Sequence, residues 1–408
     1  MTGAVLSFQR ELIDASESRR KRKDIEIFSE SLSEYTGFDF SNIADDFNDE
    51  LNGLLSYLQT RRLELQSTGL SKNEVLTFLT LNMISSFSLW LGFNRAKEYP
   101  KTPKEVAEDN PKKGNSSKTP NREVKSNYKS SVVIPTNLTD LDNGRLTQLR
   151  NLIMSLSSWE NLSGLWIIGR IPEQAATILG EFENLEIMNV DEDKGPAKAR
   201  NIGIEKALAK GMDLLVFMDD DVVSPINETF KSVCNNAVRS RVIYSPKIES
   251  YSSTCFDLFH DLDGTLNGVY ESDTEHKCLV YGTTCVMIAP ASVFKNGLRF
   301  DEDFPLAAGE DIDFCIRAKA KGIEVIPADG LIVKHDFGYN ESNDSLTRFV
   351  SRFVRYGEGN RLIKSRQPEY FDALAHSERR PTLGPRKKAS IIPKTVAELS
   401  KIVERCLD

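Results

Sequence analysis

The chain has 408 residues, enough for two or three domains, with 52 basic and 60 acidic residues and a formal net charge of −8. Apolar residues make up 40% and charged residues 27%, a balance that excludes a disordered chain, a collagen-like repeat and a disulfide scaffold. The acidic excess also argues against a protein that coats nucleic acid through bulk positive charge, so no nucleic-acid partner is expected.

Residues 1–96 contain no proline, and apolar side chains recur at helical spacing, as in Leu51, Leu54, Leu55, Leu58, Leu63 and Leu65. An all-helical N-terminal region is expected. Within it Val75–Asn94 runs twenty residues without a charge, long enough to span a bilayer. Eight of those positions are Ser, Thr, Asn or Gly, however. A span there would also strand the basic cluster Arg19–Lys23 on the side opposite the rest of the chain. The stretch therefore reads as a buried helix, and the region as a surface for homo-oligomer formation, carrier docking or peripheral membrane contact.

Residues 97–129 carry four prolines and little to bury, which predicts a flexible linker. From Ser131 short β-branched runs alternate with helical stretches, the sign of an α/β domain with a mostly parallel central sheet over residues 130–365. Strands are expected at 132–134, 165–168, 185–190, 214–218, 242–245, 279–289, 324–326 and 331–334. Helices are expected at about 145–157, 171–182, 196–210, 310–321 and 345–365. Residues 366–408 read as a basic tail ending in a short helix near 394–406.

The six cysteines (Cys234, Cys255, Cys278, Cys285, Cys315 and Cys406) are scattered without a CxxC pair, so neither a zinc cluster nor a redox dithiol is expected. That usage, with an N-terminus lacking the apolar core of a signal peptide, fits a reducing cytoplasm.

The most informative stretch follows the strand 214–218. Asp219, Asp220 and Asp221 stand at its carboxyl end, where open α/β sheets bind ligands. Alternate residues of an extended chain face the same way, so Asp219 and Asp221 address one site and suit Mg²⁺ or Mn²⁺ bridging to phosphate. A solvated, helix-capping acidic loop presents the same letters. Glu310 and Asp311 open a helix, where acids also serve as ordinary caps. Beside a second acidic site, Asp311 becomes a candidate general base. The run from Asp193 and Lys194 through Gly195-Pro196 to Arg200 reads as a helix start able to hold an anion. His335, at a strand end, is a candidate neutral metal ligand. Arg348, Arg352 and Arg355 form a basic helical face that would clamp a diphosphate if placed beside one.

Taken in order, Ile134-Pro135-Thr136, Gly195 to Gly203, Asp219-Asp220-Asp221, Gly282-Thr283-Thr284, Phe300-Asp301-Glu302, Gly309-Glu310-Asp311 and His335 resemble the family 2 glycosyltransferases of the GT-A fold, over about residues 131–365. The resemblance implies an inverting transfer of a sugar from a nucleotide-diphosphate donor to an acceptor (saccharide, peptide or small molecule). It implies that Asp219, Asp221 and His335 hold a divalent Mn²⁺ or Mg²⁺. Asp311 is then the base, with Glu310 beside it. Pro135, Thr136, Asp193, Lys194, Arg200, Asp219, Asp220, Arg352 and Arg355 contact the donor. The family's acidic, Ser-containing turn after the second strand is replaced here by Ile167-Ile168-Gly169-Arg170-Ile171-Pro172-Glu173, so the acid that reads uracil is missing. Asp257, His260, Asp261 and Asp263 are the expected acceptor contacts. Two other readings remain at this point. A sugar nucleotidyltransferase would need a glycine-rich basic loop where Pro135-Thr136-Asn137-Leu138 stands. A non-catalytic nucleotide-binding or scaffold protein would need none of the acids.

Overall fold

The computed structural model describes residues 20–41, 43, 48–67, 70–95, 127–138, 144–180, 182, 184–190, 195–223, 225–250, 269–271, 277–279, 282–304, 306–335, 344–367 and 392–407. Two donor expectations, Asp193 and Lys194, and two acceptor expectations, His260 and Asp263, fall outside this set. So do Asp257, Asp261 and the expected linker up to residue 126.

Among the described residues, eight strands form one sheet in the order β3-β2-β1-β4-β9-β6-β10-β5. They are β1 (Ser130–Asn137), β2 (Leu162–Arg170), β3 (Leu185–Asn189), β4 (Leu214–Met218), β5 (Val222–Val223), β6 (Val242–Ser250), β9 (Val286–Pro290) and β10 (Glu324–His335). The short pair β7 (Val269–Glu271) and β8 (Lys277–Leu279) stands apart as a hairpin. The β3-β2-β1-β4 half is parallel, β9 runs antiparallel to both β4 and β6, and β6 and β10 are parallel again. The class is the expected one: α/β, mostly parallel.

Strict alternation sorts each strand between two cores. Val132, Ile134, Leu214, Val216 and Met218 face α4 (Arg145–Leu156), α5 (Glu173–Leu179) and α7 (Glu228–Val238). Val133, Leu215 and Phe217 face α6 (Gly195–Ala209) and α8 (Glu310–Ala320). Pro135 lies beyond the β1–β4 ladder, which ends at Val133–Phe217, so its missing N–H leaves no gap in that ladder.

Three expectations change. The strand foreseen at 279–289 is two, because β8 ends at Leu279 and β9 starts at Val286. The strands foreseen at 324–326 and 331–334 are one, with a register shift between Pro327 and Ile332 absorbing the irregular middle. Helix α7 was not foreseen, although Asn227 caps it by accepting a 2.9 Å bond from the Phe230 amide.

A third apolar core joins the two ends of the chain. It gathers Ile25, Phe28 and Leu32 of α1 (20–36), Leu51, Leu55, Leu58 and Leu65 of α2 (Asn48–Gln66), and the buried face of α3 (Lys72–Arg95). Phe349, Val350 and Phe353 of α9 (Asp344–Arg366) and Val396, Leu399 and Val403 of α10 (Lys394–Leu407) complete it. Leu63, counted with the apolar stripe from sequence, instead faces solvent at 69% exposure because it falls off the 51–55–58–65 face. Helix α3 is long and apolar enough to cross a membrane by length and composition, and 78% of that stretch is buried inside the molecule. Ser71 and Glu74 form a reciprocal capping box at its start.

Helix α9 belongs to both bodies. A Cβ on Gly357 would sit 2.0 Å from the Leu89 carbonyl oxygen of α3, and one on Gly359 would sit 1.8 Å from the Ala308 carbonyl oxygen, so only hydrogen fits at either crossing. The second contact rests on the loop that leads into α8.

Candidate active site

The same alternation that builds the cores partitions the three aspartates after β4. Asp219 continues the Leu215–Phe217 side and Asp220 the Val216–Met218 side. Asp220 is accordingly buried at 2% exposure, accepting from the Thr136 hydroxyl of β1 and pairing with Arg145 at the start of α4. Burial pushes its carboxyl up to about 6 even with the Arg145 guanidinium beside it. Thr136 and Asp220, expected at the donor from sequence, are thus engaged with each other.

Asp219 and Asp221 turn the other way, onto the end of β10. His335 Nε2 lies 2.9 Å from Asp221 Oδ1 and 3.6 Å from Asp219 Oδ2. Burial is the largest single influence and opposes the charged imidazole, but the Asp221 charge, Cys285 and hydrogen bonds to Asp219 and Asp221 together hold His335 well above its ordinary range. Burial likewise opposes the Asp219 carboxylate, while bonds from His335 and Arg200 win and keep its pKa low. Asp219, Cys285 and His335 each offer one ligand atom, all within 4.8 Å of one another. Oxygen, nitrogen and sulfur donors converging at that spacing fit a divalent cation. Cys285 carried no sequence signal of its own; only strand pairing brings it here.

The second acidic group reaches the first through one side chain. Arg200 of α6, 3% exposed, donates to Glu310 Oε1 at 2.7 Å and to Asp219 Oδ1 at 3.3 Å. Its guanidinium carbon stands 5.6 Å from the Phe300 ring centre, and Phe300 stacks on Phe314 of α8 at 4.3 Å. The sequence reading sent Arg200 to the nucleotide; the structure engages its Nη atoms with two carboxylates, as a bridge between the clusters. The remaining Glu310 oxygen, Oε2, is buried and has no hydrogen-bond partner among the described residues.

Helix α8 is preceded by its N-cap Gly309, whose φ of +100° puts the chain in the left-handed region just before the acid pair. The preceding loop is held from two sides. Asn201 of α6 exchanges hydrogen bonds with both backbone groups of Phe300. Arg366, at the end of α9, pairs with Asp301 and Asp303. Asp311 Oδ1 accepts from the Ile312 amide at 2.9 Å. Burial, helped by the neighbouring Glu310 charge, pushes the Asp311 carboxyl up to about 7. Arg352 and Arg355 lie on α9, on the face that Gly359 shares one and two turns further along, and Arg355 draws down the Glu358 carboxyl that burial raises. The turn after β2 is clamped by Asn189, which bonds both backbone groups of Ile171.

An acid triplet at the carboxyl edge of a mostly parallel sheet, a histidine closing on it and a second acid pair reached through one arginine thus lie together in one α/β domain. No family model matches the chain. Over 249 residues it is 24% identical to pre-mycofactocin glycosyltransferase of Mycobacterium tuberculosis, a match covering 59% of this chain and 48% of that protein. The chain therefore spans about half the length of the curated relatives it matches. Among solved structures, S. aureus TarS 1–349 is similar at 15% identity and a TM-score of 0.38, covering 58% of this chain and 72% of that one. GalNAc-T7 with UDP, GalNAc and Mn²⁺ is similar at 16% identity and a TM-score of 0.42, covering 68% and 55%. The mannosyltransferase PcManGT of Pyrobaculum calidifontis, in complex with GDP-Man and Mn²⁺, is similar at 13% identity and a TM-score of 0.39, covering 82% and 97%. The sequence relatives are described as glycosyltransferases and one structural neighbour as a mannosyltransferase.

Proposed function

We propose that the chain is a nucleotide-sugar-dependent glycosyltransferase that transfers its sugar with inversion and with help from a divalent cation. The observation that carries this reading is the Arg200 bridge, which joins Asp219 of one acidic cluster to Glu310 of the other. Two acidic groups in one cleft can divide the work of a displacement at the sugar carbon.

Asp219, Asp221 and His335 would hold the cation, which when bound neutralises charge on the leaving diphosphate. Asp311 takes the proton of the acceptor hydroxyl as that oxygen bonds to C1 and the C1–O bond to the diphosphate breaks. Its raised pKa suits a base working near neutral pH. Arg200 and Glu310 fix the distance between the two halves of the site, and Phe300 supports Arg200 from below. Arg352 and Arg355 are proposed to meet the diphosphate from α9. The missing uracil-reading acid favours a donor base other than uracil. The described cysteines Cys234, Cys285, Cys315 and Cys406 are buried free thiols, which supports a cytoplasmic setting. The acceptor is a saccharide, peptide or small molecule.

A thermal-shift panel of nucleoside diphosphates with and without Mn²⁺ tests the reading. Stabilisation that needs nucleotide and ion together is expected. Stabilisation by neither, or pyrophosphate release from a nucleoside triphosphate, would overturn it.

A further inference from the structure

We infer that Cys285 is an additional ligand of the proposed cation site, so that the site takes thiophilic divalent ions, of the Zn²⁺, Co²⁺ or Cd²⁺ kind, in preference to Mg²⁺. The inference rests on the reading of Asp219, Asp221 and His335 as metal ligands.

Strand pairing makes the placement firm. In the antiparallel β4–β9 ladder Met218 stands opposite Val286, so the next pair outward is Asp219 and Cys285. The Asp219 amide donates to the Cys285 carbonyl at 3.0 Å and locks that pair. Residues directly opposite in such a ladder send their side chains to the same face. His335 then arrives from β10, whose antiparallel pairing sets it opposite Val222, one residue past Asp221. Three strands thus deliver three different donor atoms to a common point, within 4.8 Å of each other.

Burial adds a direction. Cys285 and His335 are 8% and 6% exposed, whereas the Asp219 side chain is 32% exposed. The sulfur and the imidazole form the floor, and the carboxylate stands at the open side where phosphate oxygens would enter. Mg²⁺ demands near-octahedral oxygen and keeps its waters, which a sulfur-and-nitrogen floor does not supply. A thiolate instead favours softer ions. On binding, the Cys285 S–H bond and the His335 Nε2–H bond break, both protons leave to solvent, and the electron pairs left on sulfur and nitrogen form the bonds to the metal.

The test titrates Co²⁺ into the full chain without nucleotide and reads both heat and absorbance. The wild type should show a thiolate-to-cobalt charge-transfer band, and Cys285→Ser should lose it. The same variant should weaken Zn²⁺ binding by at least the roughly tenfold that even outer-shell changes cost. Its Mg²⁺ affinity should stay as in the wild type. Co²⁺ binding to the wild type without the band, or with equal affinity in Cys285→Ser, would overturn the inference while leaving the cation site standing. Absence of any heat with Co²⁺ or Mn²⁺ would overturn the cation site itself. Should Cys285→Ser fail to fold by circular dichroism, the wild-type spectrum still decides.

Discussion

The carboxyl edge of the sheet and the helical body on α9 are organised by opposite means. At the sheet edge, buried charges meet their partners: Asp220 has Arg145 and Thr136, Asp219 has Arg200 and His335, and Glu310 has Arg200. In the helical body, α3 and α9 approach until only Gly357 fits between their backbones, and side chains such as Phe28, Phe87 and Phe349 fill the rest. The first region tolerates a change of shape better than a change of charge; the second, the reverse. Helix α9 carries both rules, because Gly359 presses on Ala308 three residues before Asp311.

Substitutions can break this contrast. The largest effect is expected from Asp311→Asn, which should lower kcat by about 10²- to 10⁴-fold while leaving cation-linked nucleotide binding intact. Steady-state kinetics beside calorimetry reads both, and normal turnover in the folded variant would remove Asp311 from the base role. Asp221→Asn should behave in the opposite sense, with the nucleotide losing its dependence on the ion. Arg200→Met keeps the bulk over Phe300 but leaves Glu310 and Asp219 without their shared cation. Removing one partner of a buried pair costs about 3–5 kcal/mol, measurable by denaturant unfolding. In the helical body, Gly357→Ala changes no charge yet should cost about 1–3 kcal/mol through overpacking, with donor affinity unchanged.

The smallest effect is one of pH. With the Asp311 carboxyl at about 7, kcat/KM should fall about tenfold per unit below that pH and level off above it. The stability term has the opposite sense. A carboxyl raised from 3.8 contributes stability below that value and loses it as pH rises through about 7. Asp311→Asn should therefore raise the melting temperature at pH 8 relative to the wild type, and no change there would mean that Asp311 ionises freely. A pH profile shared by wild type and Asp311→Asn would assign the ionisation to another group.

Much of this was legible because it is local. The apolar run 214–218 ending in three acids and the Gly309-led start of α8 each follow from neighbouring residues. Helix α7 carries a local signal too, in Asn227 before Glu228. The role of Arg200 was not readable, since its partners lie 19 and 110 residues away in sequence. Nor was that of α10, whose burial face meets helices from the other end of the chain.

By itself the sequence determined the alternation of strands and helices, and with it the split of Asp219 and Asp221 from Asp220, because a strand's side-chain period of two is a property of the extended backbone. Tertiary structure alone decided which groups those carboxylates meet. Sheet order put β9 and β10 beside β4, and so gave Asp219 a thiol and an imidazole for neighbours. Such proximity depends on pairing between distant segments, and no local spacing encodes it.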